Sequence, residues 1–269
     1  MGRGWGFGLH EALDQIGAVA GPLLFVLALA AGGSYRGGFA LLAVPFILLL
    51  ITLLFAWKSI PDPAGFETAA RATVPAAGGS PHRWYLTLYA AFTALTMAGF
   101  VVFPLLAFHY KALAIIADAE IPAFYAIAMA VDAAVALVAG RGYDRYGLVV
   151  LLGVPVIGIA IPFVAFSQSF IAALAGAVLW GASMGMQETV LRAAVADFTL
   201  PGRRGFAYGI FNTVYGGAWF AGSIAIGVLY TLGTGYAAAF MILMQCAALP
   251  VLWQVIKTQK NLSGQELDW

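Results

Sequence analysis

Residues 3–9, Arg3-Gly4-Trp5-Gly6-Phe7-Gly8-Leu9, return 201 positions later as Arg204-Gly205-Phe206-Ala207-Tyr208-Gly209-Ile210. The correspondence continues without a gap to residue 42. Ala20-Gly21 meets Ala221-Gly222, Gly32 meets Gly233, Tyr35 meets Tyr236, Phe39 meets Phe240 and Leu42 meets Leu243. Two helical segments are thus duplicated at long range. In a very apolar chain, such duplication is the mark of parallel-repeat membrane proteins that carry solutes.

Composition fixes the class. Hydrophobic residues make up 62% of the chain and charged residues 9%, against roughly 25% charged in a soluble domain. A helix needs about 20 apolar residues to cross the hydrocarbon core. Stretches near 7–31, 37–57, 84–108, 121–140, 147–167, 170–196, 206–232 and 236–256 meet that length. The expected fold is an all-α membrane protein with eight transmembrane helices, and β-barrel alternation is absent. Pro104, Pro155 and Pro162 inside spans suit packed helices whose neighbours satisfy the freed backbone groups.

Eight spans place both termini on one side. Ten basic residues fall there (Arg3, Lys58, Arg71, Arg83, Arg141, Arg145, Arg203, Arg204, Lys257 and Lys260), against Arg36 and Lys111 across the bilayer. That bias makes both termini cytoplasmic in a multi-pass protein of the plasma or inner cell membrane. The net charge of +1 and the absence of a basic patch argue against a nucleic-acid partner. Cys246 is the single cysteine, which excludes a disulfide framework. The first apolar segment carries His10, Glu11 and Asp14 and no small-residue cleavage site, so it is expected to remain as a span.

Three motifs resemble the major facilitator superfamily of secondary transporters, whose pattern is twelve helices in two bundles of six. Gly8, Gly17 and Gly21-Pro22 in the first span resemble its fifth-helix antiporter motif, with Phe25-Val26 where a closing Gly pair is usual. Gly140-Arg141-Gly142-Tyr143-Asp144-Arg145-Tyr146-Gly147 resembles its cytoplasmic loop motif, with Leu148-Val149 in place of the basic pair. Asp197, Pro201 and Arg204-Gly205 resemble the entry to its eleventh helix.

The resemblance implies that these spans are helices five to twelve, with the first four helices of the usual twelve missing. Residues 1–57 are then the last two helices of the N-terminal bundle and 58–83 a cytoplasmic linker rich in Pro, Ala, Gly and Thr. Residues 84–256 form a six-helix C-terminal bundle and 257–269 a cytoplasmic tail. A fragment of a longer gene, a separate chain supplying the missing helices, and a shortened form acting alone each fit this pattern.

Charges within spans are the functional leads, because an ionisable residue at a helix centre costs about 2.5–3.5 kcal/mol on insertion scales unless it faces a cavity or partner. Asp132 leads, midway along a span of Ala, Val and Met. A desolvated carboxylate there suits proton carriage or binding of a cationic solute; its bland reading is a satisfied structural Asp. Glu188 and Arg192, four apart, read as an internal ion pair or as a gate. Gln187, Asn212 and Tyr215 complete the candidate substrate or proton pathway, with Trp180 and Trp219 as possible aromatic contacts. His10, Glu11, Asp14 and Gln15 lie near a helix N-terminus, where acidic groups are favourable regardless of function. His109 reads as a lone interfacial histidine.

Gly8, Gly17, Gly21, Pro22, Gly140, Asp144, Arg145 and Gly147 are the candidate gating residues. Gly17 with Gly21, Gly181 with Gly185 and Gly205 with Gly209 have the four-residue spacing that lets helix backbones approach. Asp144 is expected to sit against the start of the first span or against Arg3, stabilising an outward-facing state. Gly181-Ala182-Ser183-Met184-Gly185 matches a serine-nucleophile pattern, but it lies in an apolar helix and no His follows His109, so no enzyme is expected. No phosphate loop or metal-ligand spacing is present, and no cofactor or metal is expected. The functional expectation is proton-coupled antiport, as efflux of a small solute. Helices seven, eight, ten and eleven of the pattern would line half the cavity. The alternative is a non-transporting membrane subunit or inactive truncated remnant.

Overall fold

The computed structural model describes residues 2–60, 83–199 and 201–265. Most of the linker expected at 58–83, and residues 266–269 of the tail expected at 257–269, lie outside the described residues. Among the described residues all regular structure is helical. The order is α1 (Arg3–Ala30), α2 (Tyr35–Leu41), α3 (Ala43–Ser59), α4 (Arg83–Ala98), α5 (Phe103–Ala112), α6 (Ile121–Tyr146) and α7 (Gly153–Ala165). There follow α8 (Phe170–Met186), a π-helical turn (Gln187–Leu191), α9 (Arg192–Phe198), α10 (Arg204–Leu232) and α11 (Thr234–Gln265).

Among the described residues seven helical segments are long and apolar enough to cross a membrane, against the expected eight spans. One of them, Asp118–Ala165, runs for 48 residues, about twice the length one crossing needs. It contains α6 and α7 joined by the tight helical turn Gly147–Leu152, so the connection between two expected spans is itself helical. Gly147 ends α6 with φ of 62°, a backbone conformation that costs glycine little and other residues more.

The spine of the molecule is α6, which packs on α1 along one side and on α8 along another, while α4 lies against α10 and α11. The α1–α6 contact brings main chains together. A Cβ on Gly4 would strike the carbonyl of Gly140, and one on Gly8 the carbonyl of Ala136. On the other side of α6, Gly181 and Gly185 of α8 lie against the carbonyls of Ala128 and Asp132. Ser183 is buried between them within α8. The Gly-x-Ser-x-Gly pattern is therefore a helix-packing stripe, with no strand-to-helix elbow.

Two of the glycine pairs with this spacing have no neighbour among the described residues. A Cβ on Gly17, Gly21, Gly205 or Gly209 would meet nothing within 4 Å. The close approach on α1 lies 13 residues nearer its start, at Gly4 and Gly8, where α1 meets α6. Helix α3 buries no residue; apolar on every side, it is suited to lipid.

The four residues between α4 and α5, Gly99–Val102, break the third membrane-length helix. Irregular backbone at such a depth needs protein partners. Trp180 Nε1 donates to the Val101 carbonyl at 2.7 Å and Trp219 Nε1 to the Phe100 carbonyl at 3.1 Å.

Gly8→Ala is expected to lower the thermal midpoint of the detergent-solubilised protein, at a cost of about 1–3 kcal/mol from overpacking. Gly17→Ala, in the same helix but facing open space, is expected to be neutral or to stabilise by up to about 1 kcal/mol. Equal shifts for the two variants would show that the α1–α6 approach does not limit packing.

Candidate functional site

Helix α1 buries Gly4, Gly8, Glu11, Gln15 and Phe25. The first four are spaced as one helical stripe. The turns where Gly4 and Gly8 meet α6 therefore lead directly to a turn that carries Glu11 inward. A cavity of about 320 Å³ opens here, lined by α1 through Glu11, Asp14, Gln15 and Ala18, with Asp132 from α6 and Glu188 and Arg192 from the far side.

One oxygen each of Glu11, Asp132 and Glu188 lies within 4.8 Å of the others. Arg192 joins two of the three acids: Nη1 donates to Glu11 Oε2 at 3.1 Å and Nη2 to Glu188 Oε1 at 3.2 Å. Gln15 donates to the other Glu11 oxygen at 2.8 Å. Asp132 has no such partner. Its side chain is fully buried, and neither carboxylate oxygen has a hydrogen-bond partner among the described residues. Three carboxylates thus face one guanidinium. The trio is a hard-oxygen donor set of the kind that holds cations, although two of its members are already engaged by Arg192.

The π-helical turn Gln187–Leu191 places this chemistry. It adds a residue to the ladder between α8 and α9, and such insertions concentrate at functional sites. Glu188 lies within it and Arg192 immediately follows. Tyr208 donates to the Arg192 carbonyl at 2.8 Å, holding the turn from α10.

Other expected pathway residues fall elsewhere. Gln187 is buried and donates to Ser183 Oγ at 3.0 Å. Tyr215 carries a buried hydroxyl without a partner, and Asn212 is exposed; none of the three lines this cavity. Helix α1, absent from the set expected to line it, supplies four lining residues. In the sequence, nearness to a helix N-terminus already accounts for Glu11 and Gln15 as polar residues. They share a helical stripe with Gly4 and Gly8, but the sequence does not say which stripe packs. His109, near the end of α5, is buried with Nδ1 2.8 Å from the Tyr230 hydroxyl.

A second cavity, about 840 Å³ and almost wholly apolar, continues from the first along α1, where Gly21, Pro22 and Phe25 face it. Tyr125, Trp180 and Trp219 line both. Helix α1 runs unbroken past Pro22.

At the end of the bundle where α1 begins, Asp144 accepts from the backbone N–H of Gly4 at 2.8 Å and of Trp5 at 2.9 Å. It caps a helix to which it does not belong, satisfying two orphan donors at the positive end of the dipole. Arg3 turns instead to Asp197, at 2.5 Å, and Tyr143 donates to the same carboxylate at 2.7 Å. Arg141 lies over the Trp5 ring, 3.5 Å from its centroid. Gly140 lies within the α1 contact, and Arg145 sits outside it, over Tyr146.

A sequence model described as Major Facilitator Superfamily matches residues 2–223. An uncharacterized protein of Mycobacterium bovis and uncharacterized proteins from two strains of Mycobacterium tuberculosis are each 38% identical over 259 residues. The match covers 94% of this chain and 63% of each relative, so the chain spans somewhat less than two thirds of their length.

Arg192→Gln is expected to destabilise the protein by about 3 kcal/mol, the low end for leaving a buried partner charge unpaired, because the guanidinium is one-third exposed. Glu11→Gln added to it is expected to recover most of that loss. A double-mutant cycle on thermal midpoints with no coupling would show that the pair does not hold α1 in place.

Proposed function

Since the chain belongs to the major facilitator superfamily, and is an integral multi-pass membrane protein, we propose that it acts in secondary active transport, as a proton-coupled antiporter that expels a small solute. The observation that carries the reading is Asp132: a fully buried carboxylate without a hydrogen-bond partner among the described residues, beside two further carboxylates that share one guanidinium. Such a site is paid for only where charge is compensated during function. A proton or a cation supplies that compensation, and exchange of one for the other couples the two fluxes.

Alternating access needs one end of the cavity closed while the other opens. The contacts of Asp144 with the start of α1, and of Arg3 with Asp197, tie α1 to α6 and α9 at one end. The excess of Lys and Arg on that side supports a cytoplasmic location for it, and for both termini. In this reading the conformer is closed to the cytoplasm, the Asp144 cap stabilises the outward-facing state, and the lipid bilayer is the immediate surrounding. Pro22 and the glycines of α1 then serve where that helix meets the apolar half of the pathway.

Proteoliposomes containing this chain, given an imposed pH gradient, are expected to dissipate it faster when a transported member of a solute panel is supplied on the opposite face. A trapped pH-sensitive dye reads the flux. Asp132→Asn is expected to abolish the solute-dependent component. Dissipation undiminished in that variant, or a panel without any solute-dependent flux, would refute proton-coupled antiport.

A further inference from the structure

We infer that the solute is an amphipathic organic cation, whose charged group sits at Glu11, Asp132 and Glu188 and whose apolar body occupies the neighbouring cavity. The inference rests on the transport reading above and names its substrate class. Three observations converge on it. The first is the charge: three carboxylates cluster with one guanidinium, which pairs with two of them, while Asp132, fully buried at the cavity lining, has both oxygens without a partner among the described residues. An anion would be repelled there, and a cation would compensate Asp132 once its proton has left.

The second observation is the aromatic boundary. Tyr125, Trp180 and Trp219 line both cavities. Phe103 lies 5.0 Å from Tyr125 and 5.4 Å from Trp180, centroid to centroid. The indole N–H groups of Trp180 and Trp219 are both spent on backbone carbonyls. The two indoles therefore offer a ligand π-surface and no free hydrogen-bond donor, which favours cations with apolar substituents. The third observation is the adjoining cavity of about 840 Å³, lined by Phe25, Phe39, Leu42 and Val102 among others, which gives the apolar body a place beside the acidic one, across the shared Tyr125, Trp180 and Trp219.

A bare metal ion fits less well, because two of the three carboxylates would have to leave Arg192 to complete its coordination.

Equilibrium dialysis of radiolabelled tetraphenylphosphonium against the purified chain in detergent tests this, with tetraphenylborate as the probe of equal shape and opposite charge. Saturable binding of the phosphonium alone is expected. Asp132→Asn should weaken it at least about thirtyfold, as for loss of one partner of a desolvated charge pair, and Asp132→Glu should retain most of it. Trp219→Ala should weaken it about fivefold. Where Asp132→Asn does not fold, as judged by gel filtration, Glu188→Gln serves in its place. Equal binding of the two ions, or phosphonium binding indifferent to both acid variants, overturns the inference. Because no gradient is applied, retained phosphonium binding without any proton flux would refute the coupling reading and leave this one standing.

Discussion

Everything in the acidic cavity depends on how closely the backbone of α1 lies against that of α6. The two helices meet turn by turn: Asp144 caps the first N–H groups of α1, Gly140 faces Gly4, Ala136 faces Gly8, and one turn further Asp132 stands near Glu11. Side chains at positions 4 or 8 would hold the helices apart and carry Glu11 away from Asp132 and Arg192. In hydrocarbon there is no hydrophobic drive between helices, so close packing and polar contacts must supply the association. This seam uses both: glycine for approach, then a charged cap at one end and an ion pair at the other.

The far side of α6 repeats the device with α8. Gly181 and Gly185 let α8 approach the carbonyls of Ala128 and Asp132. Asp132 is thereby enclosed between two close-packed seams, which explains its complete burial. Burial alone would make it a structural liability. The π-helical turn that follows α8 carries Glu188 and Arg192 to the same space. The break between α4 and α5 adds a fixed wall, since the carbonyls it frees are what hold the two indoles in position.

The membrane class and the spans were legible because both depend on composition and length. The Glu188–Arg192 pair was legible because spacing of four along a helix is a local property. Asp132 stood out by contrast with its apolar neighbours. Glu11 did not, since its proximity to a helix start already accounted for an acid. Its partner is 181 residues away in sequence, and no periodicity reports a partner at that distance. Likewise nothing local separates Gly4 and Gly8, which are enclosed, from Gly17 and Gly21, which are open. That difference belongs to where the neighbouring helix lies.

The internal repeat makes the same point from within one chain. Helices α1 and α10 descend from matching sequence, yet Gly4 and Gly8 are closed against α6 while their counterparts Gly205 and Gly209 line an open groove of about 520 Å³. At the position matching Glu11 stands Asn212, exposed, and at that matching Asp14 stands Tyr215. A buried acid is tolerable on α1 because α6 and the π-helical turn supply its surroundings and Arg192 its counter-charge. On α10 the described chain supplies no equivalent of that seam, and no acid is found at the matching positions. Among the described residues the two copies of the repeat thus differ in charge where their surroundings differ: Glu11 is enclosed beside Arg192, and Asn212 is exposed.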